Sequence, residues 1–368
     1  MLKVLTNGSL VRMIGDPHFG RKFVNGVPLN RRGEREAYQA KLFEQQMNQT
    51  DCIHTESSRA KTVIMMGDLF DQFRVDNDTL LKVYEIIAKA SWAQEDVTFF
   101  MLQGNHDVSR DKGSVSSLEV LERMLSHRPN IQFVTEPMQY ETPEGDFLML
   151  FPYDAFDKAG QIAEAEKFWA GGAHISAAFG HWDIDDFGND HNLIPLKQLA
   201  PLVDEIFTGH IHVPQVFMTD KVGNRITKTE HESRCAATAP DENPVCTVWV
   251  TGSLMPYSHG EDPEGLIYVT VGLDEYQKNV DQDPAFYHDK CVRIQMKKGD
   301  EAPAEFDALQ MSYKFLTDNN EEEIEVKAEV FSFKNLFEES MTANGLTEEQ
   351  TKSVWDKYQE KNRDAQDA

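Results

Sequence analysis

Val97-Thr98-Phe99-Phe100-Met101-Leu102 runs through Gln103 into Gly104-Asn105-His106-Asp107, so a nearly all-apolar hexapeptide is followed by a glycine and three polar side chains. An apolar run of this length, closed by Gly104, predicts a buried strand. The loop at the C-terminal end of a strand in an open α/β sheet is where ligands bind. Asn105, His106 and Asp107 are thereby placed to meet one substrate with an amide oxygen, an imidazole and a carboxylate.

The same arrangement recurs along the chain. Leu10–Ile14 ends at Gly15 and delivers Asp16 and His18, and Thr62–Met66 runs into Gly67-Asp68-Leu69-Phe70-Asp71. Ile175–Phe179 runs into Gly180-His181, and Glu205–Thr208 into Gly209-His210-Ile211-His212. Helical patterns fall between these runs at Glu34–Asn48, at Asp78–Ala90 with Asn77 or Asp78 as its cap, at Ser116–Leu125 and at Lys158–Ala170. Phe147–Phe151 reads as a further strand. Strands alternating with helices predict a layered α/β core.

From Val213 the texture is β-rich, with predicted strands at Gln215–Met218, Val245–Val250 and Leu266–Val271, and residues 229–244 read as an exposed excursion. The acidic stretch Asp281–Pro284 marks an expected boundary. Beyond it, Cys291–Met296 and Gln310–Leu316 predict a small α+β domain. Asn319–Glu325 reads as a solvated link, and Asn335–Lys361 as two helices split at Asn344-Gly345. The expected domains are therefore 1–280, 281–330 and 331–368.

The bulk composition is that of a globular protein. A length of 368 residues predicts about two to three domains. The 36 basic and 62 acidic side chains give 36 − 62 = −26, a balance that argues against nucleic-acid affinity by charge alone. Met1–Phe19 has no basic region followed by an apolar one, and no stretch approaches the ~18 apolar residues of a membrane span. A cytoplasmic protein without membrane partners is expected. Cys52, Cys235, Cys246 and Cys291 are scattered, which predicts reduced thiols in that compartment.

Taken singly, a strand-end aspartate is usually a turn former or helix cap, and Gly-His-Ile-His an ordinary tight turn. Five independent loops carrying the same ligand types make a joint coincidence implausible. Mixed His, Asp and Asn ligands suit manganese, iron or zinc. The expected division places Asp16, His18, Asp68 and His212 on one ion, and Asp68, Asn105, His181 and His210 on the other. Asp68 would bridge ions ~3.5–4 Å apart, the spacing that holds the attacking and leaving oxygens of a phosphoryl transfer. His106 would protonate the leaving oxygen, Asp71 would accept from the other nitrogen of that ring, and Asp107 would support the ligands from behind.

Asp-x-His, Gly-Asp-x-x-Asp, Gly-Asn-His-Asp, Gly-His and Gly-His-x-His, in this order, resemble the five motifs of the calcineurin-like metallophosphoesterases over roughly residues 10–272. Gly15-Asp16-Pro17-His18-Phe19-Gly20 and Gly67-Asp68-Leu69-Phe70-Asp71 are similar to the SbcD-type nucleases, which work with an SMC-like ATPase in double-strand-break repair. So are Pro129–Val134 with Phe151-Pro152-Tyr153, and Gly252-Ser253 leading to Ser258, Glu261, Glu264 and Gly265. Size and tail look most like the nuclease subunits of T-even-type phages, which would put the protein in a host's cytoplasm. Pro17 between the first ligands and the 229–244 excursion depart from the family pattern, and neither removes a ligand.

The resemblance implies a four-layer α/β/β/α metallophosphoesterase sandwich with a small α+β capping domain and C-terminal helices. It implies a manganese-dependent DNA nuclease, exonuclease on duplex ends and endonuclease on single strands. It also implies a homodimer formed through Asp78–Ala90 and Ser116–Leu125, and C-terminal helices that bind the ATPase. Arg21, Lys22, Arg31, Arg32, Arg74, Arg110 and Lys112 lie in loops near the motifs and are the candidate DNA contacts. The competing expectations are a phosphodiesterase or phosphatase acting on a small molecule or protein, since one site serves all of these, and a scaffold on an inactive fold, against which the complete ligand set counts.

Overall fold

The computed structural model describes residues 1–50, 59–108, 114–153, 163, 167, 174–184, 192–227, 245–303 and 306–316. One compact unit takes in Met1–Met296 with Asp300–Lys314, and a second takes in Lys297–Gly299 with Phe315–Ala368. Most of the expected Lys158–Ala170 helix lies outside the described residues. So do the 229–244 excursion, the Asn319–Glu325 link, the helices within Asn335–Lys361, Arg110, Lys112, Cys52 and Cys235.

Two sheets form the centre of the first unit. The first is five-stranded, in the order β1 (Leu2–Val4), β2 (Leu10–Ile14), β3 (Thr62–Met65), β4 (Thr98–Leu102), β5 (Ile131–Val134). β1 is antiparallel to β2, and the rest are parallel. The second is built from β6 (Met138–Glu141), β7 (Phe147–Phe151), β8 (Ile175–Gly180), β9 (Val203–Thr208), β10 (Gln215–Asp220), β11 (Arg225–Ile226) and β12 (Val245–Val250). Its order is β11-β10-β12-β9-β8-β7-β6, with β7, β8, β9 and β12 parallel.

The period of two in each strand decides what each face meets. In β4, Phe100 and Leu102 enter a core shared with Leu148 and Leu150 of β7, Phe179 of β8 and Phe207 of β9, so the sheets pack face to face. Phe99 and Met101 point the other way, into a core with Phe43 and Met47 of α1 (Glu34–Met47), Val83 and Ile87 of α2 (Asn77–Ala93), and Leu118 and Leu121 of α3 (Ser117–Leu125). Burial on both faces explains why the run is apolar without alternation. Each fully buried Phe in it contributes roughly 1.5–3 kcal/mol. The outer face of the second sheet is covered by residues around α4 (Leu196–Leu199), with Leu199 and Ala200 against Ile206 and Val248. The result is a layered α/β sandwich, with helices on the outer faces of two sheets packed together.

Three boundaries differ from the sequence reading. Helix α2 begins at Asn77, and its cap is Asp76, whose carboxylate accepts from Thr79 N at 2.8 Å. Ser116 caps α3 from outside it, accepting from Glu119 N at 3.0 Å. Helix α5 (Leu273–Gln282), which follows β13 (Tyr268–Gly272), is not among the expected elements. These two pack with β14 (Cys291–Met296) and β15 (Gln310–Phe315) around Tyr276, Tyr287, Val292 and Ile294, a core of their own. That three-stranded sheet takes its first strand from residues 268–272, ahead of the expected boundary at 280.

Candidate metal centre

The C-terminal ends of parallel strands from both sheets open on one side. β2 leads to Asp16 and His18, β3 to Asp68, β4 to Asn105 and His106, β8 to His181, and β9 to His210 and His212. His18, Asp68 and His210 sit at φ 51°, 48° and 68°, the left-handed region. Such strain costs of order 1–3 kcal/mol per residue and persists where surrounding structure imposes it. Two glycines make the approach possible. A Cβ on Gly104 would overlap the Asp68 amide and carboxylate, and one on Gly67, at φ 113°, would overlap the His181 ring.

Metal-ligand atoms gather in three overlapping groups, Asp16 with His18 and His212, Asp68 with His181 and His210, and His18 with Asp71 and His106, the atoms of each within 4.8 Å of one another. Asn105 joins the second group: its Oδ1 is 2.8 Å from His181 Nε2 and 2.9 Å from His210 Nδ1. Asp68 Oδ2 lies between the first two groups, 3.3 Å from His181 Nε2 and 3.8 Å from His18 Nε2. The structure therefore brings Asp16, His18, Asp68, Asn105, His181, His210 and His212 together in one cluster.

The donor set fits divalent cations. His181 Nδ1 donates to the Met66 carbonyl at 2.9 Å, so in a neutral ring Nε2 turns a lone pair toward the oxygens of Asn105 and Asp68. His212 Nε2 faces His18 Nε2 at 3.0 Å. Asp16 Oδ1 is buried without a hydrogen-bond partner. Lone pairs that converge on one another in a buried site are unfavourable unless positive charge sits among them.

The ionisation pattern reports the same field. Burial pushes the Asp16 carboxyl up to about 7, against the pull of His181 and with Asp68 adding to the rise. Burial works the same way on Asp68, but His181, His18 and His106 overcome it and hold Asp68 below the usual carboxylate range. Burial opposes protonation of His181, yet Asp68 and Asp16 carry it up to about 10. Burial drives His18 down to about 3 and, with His181, His210 down to about 4.

The far nitrogens of these rings face carboxylates, the kind of outer group that orients rings at metal sites, though only the one beside His212 is within close reach. His212 Nδ1 is 3.2 Å from Glu261 Oε2, His18 Nδ1 is 3.5 Å from Asp71 Oδ1, and His210 Nε2 is 3.9 Å from Asp183 Oδ2. Glu261 and Asp183 were not among the expected site residues. Glu261 belongs to the resembling Gly252–Gly265 stretch, where nothing local marked it as facing a histidine. One expected contact is corrected: His106 Nδ1 meets the main-chain oxygen of Asp71 at 2.6 Å, not its carboxylate, which has turned to His18 and Arg21. Asp107 is buried and accepts from Gly104, Leu69 and Phe70 amides at 3.0, 3.3 and 3.2 Å, tying the β3 and β4 loops together. Burial and Asp68 lift its carboxyl to about 7.

The loop cations separate. Arg21 lies at the centre, 3.9 Å from Asp71 Oδ1 and over the Tyr257 ring at 5.0 Å. Arg32 and Arg74 are exposed, Arg74 donating to the Val115 carbonyl at 3.3 Å. Lys22 pairs with Asp76 at 3.1 Å. Arg31 does not suit DNA contact, because it is buried against Glu34 at 2.8 Å, the His288 carbonyl at 2.5 Å and Asp307 at 3.6 Å. Cys246 and Cys291 are buried, free thiols, and burial pushes Cys246 up to about 12.

A two-sheet sandwich whose strand ends converge carboxylates, imidazoles and an amide in this way defines a metal-dependent phosphoesterase. The family model described as calcineurin-like phosphoesterase matches residues 11–214, and the chain belongs to that family, whose members bind two divalent metal ions. The chain is 25% identical over 211 residues to the DNA double-strand break repair protein Mre11 of Methanopyrus kandleri, an alignment that takes in 55% of this chain and 44% of that protein. It thus spans under half the length of that relative. A dimetal phosphatase from Danio rerio aligns with a TM-score of 0.38 and 12% identity, over 66% of this chain and 87% of the other. Among the described residues no helix is long and apolar enough to cross a membrane.

Proposed function

We propose that this chain is a two-metal DNA nuclease, cutting duplex ends as an exonuclease and single strands as an endonuclease, with manganese as the working ion. The convergence of two ligand groups on a shared Asp68 carries the phosphodiester chemistry. The likeness to Mre11 supports DNA as the substrate. Bound ions would polarise the phosphate and make water a nucleophile near neutral pH.

In this reading the chain's own residues act as follows. The metal ligands are Asp16, His18, Asp68, Asn105, His181, His210 and His212. The His106 amide donates to Asp68 Oδ1 at 2.8 Å and fixes the shared carboxylate. The His106 Nδ1–H donates a hydrogen bond to the Asp71 main-chain carbonyl and keeps its proton, so the proton for the leaving oxygen departs from Nε2. Arg21 is placed to meet a phosphate next to the scissile one. The partners proposed are DNA, a second copy through α2 and α3, and an SMC-like ATPase through residues 335–361. Leu81 and Trp92 on α2 are exposed, as a dimer face requires.

Purified protein with manganese is expected to degrade end-labelled duplex and circular single-stranded DNA. If neither is cut while a bis-nitrophenyl phosphate is hydrolysed quickly, the nuclease reading falls. Removing residues 335–368 should abolish ATPase binding and spare manganese-dependent cleavage. The net charge of −26, with Lys22 and Arg31 already paired, favours a second reading, a phosphatase or phosphodiesterase acting on a small molecule or protein.

A further inference from the structure

Gly252–Glu261, the stretch that follows β12, reaches the centre from beyond the residues matched by the family model, which end at 214. Ser253 bridges Asp16, and Leu254 N donates to the Asp16 carbonyl at 3.1 Å. Tyr257 is buried, with its ring edge-on to His18 and His212 at centroid separations of 5.5 and 5.6 Å. Its hydroxyl donates to the Pro17 carbonyl and lies 3.2 Å from the Asp16 carbonyl. Gln39 of α1 braces the same turn, donating to the Pro17 carbonyl at 2.5 Å.

Glu261 is held before it meets a ligand. Its Oε2 accepts from the Tyr257 amide at 2.9 Å and its Oε1 from the Ser258 hydroxyl at 3.0 Å. That leaves Oε2 aimed at His212 Nδ1, 3.2 Å away. A carboxylate can only accept, so a neutral His212 must carry its proton on Nδ1 and turn the Nε2 lone pair toward His18 and Asp16. Among the candidate ligands, Tyr257 and Glu261 contact Asp16, His18 and His212. In the other group, His181 is oriented by the Met66 carbonyl, and His210 faces Asp183 at 3.9 Å as a coulombic neighbour.

We infer that Glu261 is a positioning residue for one ion alone: it sets the tautomer and aim of His212, and its loss weakens the ion held by Asp16, His18 and His212 while the ion at Asp68, Asn105, His181 and His210 is spared. The inference rests on the two-ion reading of the site, and the experiment separates the two. Manganese is titrated into the full-length metal-free protein by calorimetry, with free manganese counted by electron paramagnetic resonance, for wild type, Glu261→Gln and Glu261→Asp. Wild type is expected to bind two ions. Glu261→Gln should lose about 10–100-fold in affinity for one of them, the scale of removing an outer carboxylate from a metal-bound histidine, with the other unchanged and Glu261→Asp recovering part of the loss.

Two ions bound by Glu261→Gln as tightly as by wild type, or both weakened equally, would overturn the inference and leave the two-ion reading standing. A wild type that binds no divalent ion would overturn the two-ion reading first. If Glu261→Gln fails to fold, Ser258→Ala loosens the same carboxylate without removing it. A smaller loss confined to one ion is then expected, and an unchanged isotherm refutes the role.

Discussion

The two halves of the centre are built from different material. Asp68, Asn105, His181 and His210 come from strand-end loops that support one another, through the Met66 carbonyl on His181 and the Asp107 carboxylate across the β3 and β4 loops. Asp16, His18 and His212 rest on a segment much later in the chain, where Tyr257 and Glu261 hold the Asp16–His18 turn and the His212 ring. The first half is fixed by the strands that carry it. The second depends on where a distant loop lands, so the two should respond differently when their supports are removed.

Asp68 belongs to both halves, and its removal is the harshest way to erase the distinction. Asp68→Asn keeps the shape but replaces one acceptor oxygen with a donor and deletes the shared charge. It is expected to lower turnover by about 10³-fold or more, as for a group that works as part of a unit. Calorimetric titration should show both ions weakened. One ion retained at full affinity would mean that Asp68 serves a single half.

His106→Ser acts on neither half as a ligand. Both ions should bind as in wild type while cleavage falls by about 10²–10³-fold, within the range of general-acid loss. Loss of an ion along with activity would place His106 among the ligands and sink its proposed role.

Why the ligands were legible in the sequence and their supports were not follows from where each signal resides. Asp16, His18, Asp68, Asn105, His181, His210 and His212 each follow an apolar run, and strand burial with a turn is a local pattern. Asp183 and Glu261 act through packing, and an acid in a loop reads as surface. Arg31 was read as a loop cation for the same reason, because the His288 carbonyl that helps bury it lies 257 residues away. Helix α5 packs through Leu273, Tyr276 and Val280 alone, three apolar residues at helical spacing in an otherwise polar stretch, a pattern short enough to read as a link beside the acidic Asp281–Pro284. The Asp71 carboxylate was expected on His106 from spacing alone, whereas the fold supplies a main-chain oxygen there and sends the side chain to His18.

Asp183→Asn probes the self-supporting half. The carboxylate is 3.9 Å from His210 Nε2, beyond hydrogen-bond reach, and its Oδ1 is already engaged by the Ile184 amide at 2.8 Å. Its influence on His210 is therefore coulombic. The expected loss is about tenfold in affinity for one ion, the low end for an outer-sphere acid. A loss equal to the one measured for Glu261→Gln would show that the two halves lean equally on their outer carboxylates.

The smallest effect belongs to a residue outside both halves, and it separates general stability from metal positioning. Asp76 caps α2 on the far face of the first sheet, accepting from Thr79 N at 2.8 Å and pairing with exposed Lys22 at 3.1 Å. The Thr79 hydrogen bonds, with help from Lys22, hold its carboxyl down at about 2 against an ordinary 3.8. Since the group is well exposed, the cost of Asp76→Ala is set by the cap itself, about 1 kcal/mol, or roughly 2 °C in Tm. A depressed carboxylate contributes above its unfolded pKa and is lost as pH falls through the folded one. The gap in Tm between wild type and Asp76→Ala should thus be full at about pH 5 and shrink toward about pH 3 and below. The manganese isotherm should not move. An isotherm that shifts with this cap would mean that metal affinity follows global stability, and the contrast between a self-supporting half and a loop-supported half would lose its physical basis.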